Sequence, residues 1–493
     1  MSVQLNPVQM NIAEIRFALQ HDEEFFIQFF LGDELTLAVP KFHIDVFHLM
    51  TSTAVRLCAF AIPRDHAKTT LAKLACIKYW LFSSFQFIIY LSNVSATAVA
   101  ACKDIIGFIE SENFRSIYGD AVFDIRQEGV GFYRFVLRLP NDKGGYSEKK
   151  CILRALGAGQ SVRGVNIGHR RPQLAVVDDL EDIENIATED LYLKLKRWFY
   201  GTFRKCLDKF HHKIIHIGNM IANRCMLKEH CDSEYWFSRR YGCLLADGNP
   251  LWPDAWPIEK LKADFNEYLK AGMIDVWFTE MMNLPIGAGR GLIRATEINY
   301  KPCPEPADIQ YGFITIDLAI SRENWAHKTV VAVHGWTGEE WMICEVDGGV
   351  GIDPIQLFDI VVELAFKWHV MLIGIENVAY QASLQYVFPY LAMVKNIEGF
   401  TFVELRAMMK KTQRLVGWCA MIRDKQYAIP EGDFIITEQL LAYDPKLKEN
   451  DDDYIDACAH GPQMIDSYSA EIQQVYALTP SSPVRNSYEV AEV

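Results

Sequence analysis

Short runs of consecutive apolar residues alternate with longer amphipathic segments through the first half of the chain. Such runs are typical of strands buried on both faces of a sheet, and amphipathic segments are typical of the helices that cover it. The pattern predicts strands at 58–62 and 87–92 and helices at 69–82 and 95–110. An α/β domain with a parallel sheet covered on both faces is therefore expected. A further amphipathic piece at 12–30 predicts an N-terminal helix whose role stays open.

A third apolar run, at 174–177, ends in a cluster of carboxylates that includes Asp178, Asp179 and Glu181. Ligands of open α/β sheets bind at the carboxyl ends of the strands, so these acids are expected at a ligand-binding edge. A strand that ends in a solvated acidic turn is the alternative interpretation.

The segment at 61–70 reads Ala-Ile-Pro-Arg-Asp-His-Ala-Lys-Thr-Thr and places Lys68 and Thr69 at the start of a predicted helix. It is a degenerate version of the phosphate-binding loop Gly-x-x-x-x-Gly-Lys-Ser/Thr, with Ile62 and Ala67 in place of the two glycines. Both residues have less freedom than glycine to adopt positive φ, so a cradle of different shape is expected. Combined with Asp178, the segment supplies the lysine, hydroxyl and aspartate that a magnesium-nucleotide site requires.

Two basic clusters flank the acidic strand, and either one can meet a phosphate backbone. A solvated helix face with its aromatic residues turned to the core explains them equally well. The clusters are Arg163, His169, Arg170 and Arg171, and then Lys194, Lys196, Arg197, Arg204, Lys205, Lys209 and Lys213, the last at the start of a predicted strand at 213–219.

The second half of the chain follows a different pattern after a proline-rich boundary at 301–306. Three strands with short links are expected to form an antiparallel meander, followed by alternating helices and strands. This is the element order of ribonuclease-H-like folds. The predicted strands lie at 311–320, 329–336, 340–346, 371–376 and 400–405, and the predicted helices lie at 355–368, at 379–393 and near the C-terminus.

Acidic residues fall at three points of this second pattern. Asp317 lies in the first strand and Glu376 ends the fourth, while Asp453 and Asp456 share one face of a terminal helix. Three converging carboxylates can hold two divalent cations about 4 Å apart for phosphodiester cleavage. Helix capping explains the acids at 451–453 equally well, and the choice between Asp453 and Asp456 as third ligand stays open.

A basic strip precedes the last acidic point, and it can either bring a DNA strand to the cations or be plain solvated surface. It consists of Arg406, Lys410, Lys411 and Arg414.

Composition limits the possible classes of protein. A chain of 493 residues exceeds what one hydrophobic core supports, so two or three domains are expected. The net charge of -14 excludes a general basic coat for nucleic acid, which leaves only local basic patches. Twelve scattered cysteines favour a reduced protein over a disulfide framework. No signal peptide is visible, and the most apolar segment, 76–101, is interrupted by polar residues, which favours a buried helix and strand over a membrane span.

In this order and spacing, Lys68, Asp178, Asp317, Glu376 and Asp456 resemble the motif set of the large terminase subunit of tailed bacteriophages, which combines a packaging motor with a nuclease. The resemblance covers roughly residues 40–465 and includes the glycine-poor phosphate loop. It implies a P-loop ATPase domain, a small helical linker subdomain and a ribonuclease-H-like nuclease domain. The segments implied are 1–40 (N-terminal helical), 41–234 (ATPase), 235–306 (linker), 307–466 (nuclease) and 467–493 (flexible tail).

The resemblance also implies residue roles and cofactors. ATP would bind at Pro63, Arg64, Asp65, His66, Ala67, Lys68, Thr69, Thr70 and Asp178, with Lys68 on the β/γ phosphates. Magnesium would lie on Thr69 and Asp178, and a second magnesium or manganese site on Asp317, Glu376, Asp453 and Asp456. Arg64 would be a sensing arginine, and Gly218 and Asn219 would couple hydrolysis to movement.

One position departs from the family pattern, because Asp179 stands where a glutamate is usual and Glu181 follows two residues later. Glu181 is favoured as the acid that orients the attacking water, since its side chain reaches further.

The partners implied are double-stranded DNA, a portal protein, a small terminase subunit and further copies in a pentameric ring, with no membrane. The implied location is the cytoplasm of an infected bacterium, transiently at the procapsid portal and not in the mature virion. An ATP-dependent helicase or transposition-type enzyme is an alternative, as is a catalytically degenerate DNA-binding assembly factor.

Overall fold

The chain divides into two compact units, Met1–Ile286 and Gly287–Val493. The structure is a computed structural model, and each unit is built around one β-sheet. The structure describes residues 10–140, 145–162, 167, 170–222, 224–245, 248–285, 292–318, 328–376, 384–405, 410–446 and 450–477.

The first unit contains an eight-stranded mixed sheet. Its strands are β1 (Leu57–Ala61), β2 (Phe87–Ser92), β3 (Val122–Gly129), β4 (Phe132–Pro140), β5 (Tyr146–Gly157), β6 (Leu174–Asp178), β7 (Lys213–Gly218) and β8 (Phe237–Arg240). The strand order is β3-β4-β5-β2-β6-β7-β1-β8. From β5 to β8 in this order, neighbouring strands pair in parallel, as predicted, while β3 and β4 extend the β5 edge in antiparallel fashion.

Eleven α-helices are described in the first unit, and some of them contribute side chains to the apolar cores on the two faces of the sheet. They are α1 (Ile12–His21), α2 (Glu23–Leu31), α3 (Lys41–Thr51), α4 (Lys68–Phe82), α5 (Ser95–Glu110), α6 (Glu112–Tyr118), α7 (Glu189–Trp198), α8 (Arg204–Cys206), α9 (Met226–Cys231), α10 (Ile258–Lys270) and α11 (Ile274–Met282). A π-helical stretch, Phe199–Phe203, joins α7 to α8. Strands β1, β2 and β6 send alternate side chains into two separate apolar cores, which explains why their sequences are almost entirely apolar.

The N-terminal amphipathic piece forms two helices rather than one. Asp22 ends α1 and caps α2, because its carboxylate accepts a hydrogen bond from the backbone N–H of Phe25. Aspartate at this position favours a new helix start over continuation.

The second unit contains a seven-stranded sheet. Its strands are β9 (Tyr300–Lys301), β10 (Tyr311–Asp317), β11 (Thr329–Trp336), β12 (Trp341–Gly349), β13 (Leu372–Glu376), β14 (Thr401–Leu405) and β15 (Tyr427–Pro430), in the order β14-β13-β10-β11-β12-β15-β9. Strands β10, β11 and β12 form the antiparallel meander, and β13 and β14 add to β10 in parallel. This is the predicted ribonuclease-H-like arrangement, extended by β15 and β9.

Six α-helices are described in the second unit. They are α12 (Pro354–Trp368), α13 (Leu384–Val394), α14 (Lys411–Arg423), α15 (Phe434–Ala442), α16 (Asp453–Ala459) and α17 (Gly461–Ala477). Helix α17 includes the first residues of the predicted tail, and residues 478–493 lie outside the described residues.

The segment at 76–101 forms the end of α4, all of β2 and the start of α5, as the sequence predicted. Within the described residues, no helix has the length and apolar character needed to cross a membrane.

Candidate active sites

The phosphate-binding loop joins the end of β1 to the start of α4. Two of its residues adopt positive φ without being glycine: Asp65 at 57° and Ala67 at 59°. Such a conformation costs a residue with a Cβ roughly 1–2 kcal/mol. The reduced freedom expected of Ala67 therefore does not prevent the backbone from entering the left-handed region directly before Lys68.

Lys68, Thr69 and Asp178 come together at the carboxyl edge of the first sheet. The Thr69 hydroxyl donates a hydrogen bond to Oδ1 of Asp178 at 3.2 Å, and the buried Tyr90 hydroxyl donates one to Oδ2 at 2.6 Å. Lys68 is 7% exposed, and its Nζ donates to Oδ1 of Asn219 at 2.5 Å. A lysine at a helix start, a hydroxyl and an aspartate are the groups that bind a magnesium-bound nucleoside triphosphate.

Asp178 lies in an environment that disfavours its charge. Burial and the neighbouring Asp179 raise its pKa to about 6, against the hydrogen bonds from Tyr90 and Thr69 and the charge of Lys68. A cation beside a buried carboxylate restores the charged form, so this environment is consistent with a metal ligand.

The two acids that follow the strand have different surroundings. The Glu181 carboxylate accepts hydrogen bonds from the backbone N–H of Met226 at 2.7 Å and of Leu227 at 3.2 Å, which are the first residues of α9. Burial raises the Glu181 pKa to about 7 despite these bonds. Asp179 is exposed, has φ of 44° and approaches Gly218 at the end of β7. This geometry favours Asp179 over the predicted Glu181 as the acid available to a water molecule.

Asn219 connects the loop to α11. Its side-chain oxygen accepts from Lys68, and its Nδ2 donates to the backbone oxygen of Glu280 at 2.7 Å. The backbone N–H of Arg64 donates to the same oxygen at 2.9 Å. The Arg64 guanidinium is 65% exposed and lies 3.7 Å from the Glu280 carboxylate. Arg64 directly, and Lys68 through Asn219, are thus both linked to one turn of α11.

His66 faces the protein interior. Its ring stacks on Trp256 with centroids 6.1 Å apart, and its Nδ1 lies 2.7 Å from the backbone oxygen of Arg64. Pro63 is buried, Asp65 is exposed and Thr70 is partly buried. A phosphate contact from His66 therefore has to come from its backbone.

The predicted basic stretch of the first unit is partly internal. Lys213 is 2% exposed and donates to the backbone oxygens of Leu49 and Ser52, and burial lowers its pKa to about 8. Phe199 and Phe203 are fully buried, as the solvated-face interpretation requires, whereas Phe210 is 77% exposed. Arg163 and His169 lie outside the described residues.

The second site lies at the edge of the other sheet. Asp317 ends β10 and Glu376 ends β13, and these strands are parallel neighbours with Ile316 opposite Ile375. One ligand atom each from Asp317, Glu376 and His460 lie within 4.8 Å of one another. Two carboxylates and an imidazole within this distance fit a divalent cation.

Asp456 lies close enough to Asp317 for its negative charge to affect the pKa of Asp317. Burial and the carboxylates of Asp456 and Glu376 raise the pKa of Asp317 well above its usual range. Burial also disfavours the charged form of Asp456, but the cations of Arg414 and Lys411 outweigh it and lower its pKa.

The basic strip does not behave as plain surface. Arg414 forms ion pairs with Asp456 and, at 3.4 Å, with Glu376, and its side chain is 10% exposed. Lys411 pairs with Asp456 at 3.0 Å and with Asp452 at 2.7 Å. These two residues neutralise the acidic cluster directly, while Arg406 lies outside the described residues.

The structure places Asp453 and Asp456 differently. Oδ2 of Asp453 accepts a hydrogen bond from the backbone N–H of Lys328 at 3.0 Å, so Asp453 fixes the start of the segment that leads into β11. Asp456 is therefore the better placed of the two for the carboxylate cluster.

Sequence reasoning missed His460. It is fully buried at the junction of α16 and α17, four residues after Asp456, so the two side chains share a helix face. That spacing is a visible signal in the sequence. Neither ring nitrogen has a hydrogen bond of normal geometry to a described residue. Burial and Arg414 lower its pKa to about 3, against Asp456 and the side chain of Gln463.

A buried polar chain positions α16. The Thr315 hydroxyl donates to the backbone oxygen of Ala457 at 2.9 Å and contacts Nε2 of His334 at 2.7 Å, while Nδ1 of His334 contacts the Tyr427 hydroxyl. These groups link β10, β11 and β15 to the helix that carries Asp456.

No protein-family model matches the chain, and no curated protein matches it. Among solved structures, the large terminase of a thermophilic bacteriophage in complex with ADP matches at 10% identity, over 87% of this chain and 99% of its own, with a TM-score of 0.34. The chain is similar to large terminases.

Single-domain terminase structures match as well. The ATPase domain of a mutant Thermus phage P74-26 large terminase matches at 11% identity over 46% of this chain and 88% of its own, with a TM-score of 0.32. The large terminase nuclease of thermophilic phage G20c with bound magnesium matches at 12% identity over 36% of this chain and 98% of its own, with a TM-score of 0.28. At these identities and TM-scores the matches carry no argument about this chain. The assignment of individual residues rests on the geometry above.

Proposed function

We propose that the protein is an ATP-driven double-stranded DNA translocase joined to a metal-dependent endonuclease, and that it acts in packaging a phage genome. The observation that carries this proposal is the presence of two chemically distinct sites in one chain. Lys68, Thr69 and Asp178 meet at the edge of one sheet, and Asp317, Glu376 and Asp456 meet at the edge of the other.

In the first unit, ATP would lie on the loop at 62–70. Lys68 would leave Asn219 and bind the β/γ phosphates, while Thr69 and Asp178 would hold the magnesium that neutralises phosphate charge. Asp179 would orient the attacking water, because the Glu181 carboxylate already accepts hydrogen bonds from the first N–H groups of α9. Since Asn219 also donates to Glu280, release of Lys68 would alter the contact with α11, which suits the coupling role that the resemblance implies for this position.

In the second unit, Asp317, Glu376 and Asp456 would hold divalent cations. Two such cations supply an activated water and stabilise the leaving oxygen in phosphodiester cleavage. Arg414 and Lys411 balance the acidic charge and would have to release the carboxylates before a cation binds. Once released, both are available to a DNA phosphate.

The packaging role extends the biochemical one. Concatemeric DNA would be moved into a procapsid and cut there, with a portal protein, a small terminase subunit and further copies in a pentameric ring as partners. A packaging assay with purified procapsids tests this extension. Strand unwinding by the purified protein would instead favour the helicase alternative.

Substitution of Lys68 tests the motor assignment. We expect Lys68→Ala to reduce kcat for ATP hydrolysis by about a hundredfold or more, because an arranged phosphate-binding charge contributes several kcal/mol. Lys103→Ala, at an exposed position on α5, is the matched control and should hydrolyse ATP at the wild-type rate. Unchanged hydrolysis by Lys68→Ala would refute the assignment of the motor to this loop.

A further inference from the structure

His460 lies beside the carboxylates of the second site. Its Nε2 is 3.8 Å from Oε2 of Glu376, and the ring is fully buried. Two ligands each about 2.1 Å from one cation can be at most about 4.2 Å apart, so this separation lies within the span of a shared cation.

A buried polar side chain normally has a hydrogen-bond partner, and exceptions require an explanation. Neither ring nitrogen of His460 has a bond of normal geometry among the described residues, and Gln463 and Glu376 are its polar neighbours. Nε of Arg414, the residue that bridges Glu376 and Asp456, likewise has no such bond. The polar groups around the carboxylates are thus incompletely satisfied at the place where a cation would bind.

The backbone holds His460 in this position. Gly461 follows directly, and a Cβ built on it would meet the Tyr427 hydroxyl at 2.6 Å and Nδ1 of His334 at 2.9 Å. The backbone oxygen of His460 accepts the N–H of Met464, which fixes the start of α17. The ring is therefore placed by tight packing of the helix junction.

We propose that His460 supplies a nitrogen ligand, through Nε2, to a cation held by Asp317 and Glu376. This inference rests on the nuclease function proposed above and adds a consequence for metal choice. Magnesium favours oxygen ligands, whereas imidazole suits later transition metals, and affinity for a nitrogen-containing site rises from manganese toward cobalt. The site should therefore prefer Mn²⁺ or Co²⁺ to Mg²⁺ more strongly than an all-oxygen site does.

Pulsed electron paramagnetic resonance of Mn²⁺ bound to the full-length protein tests the ligand directly. An Asp178→Asn background without nucleotide removes the carboxylate ligand of the first site, so that bound manganese reports on the second site. We expect ¹⁴N coupling from a directly bound imidazole, lost in His460→Gln and retained in His369→Gln, an exposed control in the same unit. Manganese that binds without ¹⁴N coupling would overturn the inference and leave the nuclease proposal standing.

Calorimetric titration separates the two proposals further. His460→Gln should weaken Mn²⁺ binding by about tenfold or more, because mutating a residue that supports a metal site typically costs that much affinity. Mg²⁺ binding should change less, because magnesium favours oxygen ligands. Asp317→Asn should abolish binding of both ions at this site. Manganese affinity unaffected by Asp317→Asn would refute the nuclease site itself, whereas equal losses of Mn²⁺ and Mg²⁺ affinity in His460→Gln would refute only the nitrogen ligand. If His460→Gln does not fold, the wild-type ¹⁴N signal alone decides.

Discussion

At the residue scale, the two acids that follow β6, Asp179 and Glu181, differ in whether their carboxylates are free to contact a water molecule. Glu181 has the longer side chain, but its carboxylate binds the first N–H groups of α9. The free N–H groups and the helix dipole stabilise a negative charge at this end of α9, although burial still raises the pKa of Glu181 to about 7. The exposed Asp179 is left to face solvent beside Gly218.

Two isosteric substitutions distinguish these acids. Asp179→Asn should lower kcat for ATP hydrolysis by about a hundredfold or more, within the usual range for removing a general base. Glu181→Gln should hydrolyse ATP near the wild-type rate and chiefly lower the stability of the first unit. Steady-state kcat for ATP hydrolysis, measured for both variants, distinguishes the two acids. A larger loss in Glu181→Gln than in Asp179→Asn would restore Glu181 as the water-orienting acid.

The sequence could single out Asp178 and Glu376 because each ends a short apolar run, and Asp317 because an isolated carboxylate inside an apolar strand is costly unless it is paired or bound to a metal. It could not separate Asp179 from Glu181, because the start of α9 is about 45 residues away in sequence and meets Glu181 only in the folded sheet. The sequence could not decide between a DNA-binding and a solvated role for the strip that contains Arg414 for the same reason, because its contacts with Glu376 and Asp456 span 38 and 42 residues.

At the element scale, the second site depends on how α16 and α17 seat against their sheet. Thr315 and His334 hold α16 through buried hydrogen bonds, and Gly461 lets the helix junction approach the Tyr427 hydroxyl. Since a Cβ at Gly461 would meet ring and hydroxyl atoms within 3.0 Å, the junction has no room for a larger residue.

Gly461→Ala should therefore displace both Asp456 and His460 from Asp317 and Glu376. We expect plasmid cleavage to fall by about tenfold to a hundredfold, since a shift of about 1 Å at catalytic groups has this effect. The unfolding free energy of the second unit should fall by about 1–3 kcal/mol from overpacking. ATP hydrolysis should remain unchanged.

Gly417→Ala is the matched control for this substitution. Gly417 lies on α14, and a Cβ built on it would have no neighbouring atom within 4 Å. The variant should therefore cleave DNA at the wild-type rate. Wild-type cleavage by Gly461→Ala would show that the helix junction does not position the site.

Secondary structure was predictable where the pattern was long or strongly apolar. The strand 87–92 and the helix 95–110 have the predicted bounds. Strands β15 and β9 were missed because four and two residues are too short to carry a pattern. Strand β4 carries a usable signal, since Tyr133, Phe135, Leu137 and Leu139 are buried at alternate positions.

At the scale of the whole molecule, the chain carries two sheets with different strand orders, and each brings its own set of charged groups to one edge. The net charge of -14 is compatible with work on DNA, because charge acts locally in both units. Lys68 and Arg64 are cations at the first edge, and Arg414 and Lys411 are cations within the second. We therefore propose that one unit hydrolyses ATP and the other cleaves DNA, with separate residues for each activity.

Cleavage of supercoiled plasmid by Asp317→Asn, measured beside ATP hydrolysis on the same preparation, tests this assignment most directly. Asparagine keeps the shape of the side chain and replaces a carboxyl group whose charged form is disfavoured by burial, so the fold should be retained. Asp424→Asn, an exposed position after α14, is the matched control and should behave as wild type.

We expect Asp317→Asn to lose cleavage with Mg²⁺ and Mn²⁺ by about a thousandfold and to hydrolyse ATP at the wild-type rate, because only the cation site is disabled. Undiminished cleavage by this variant would contradict the account.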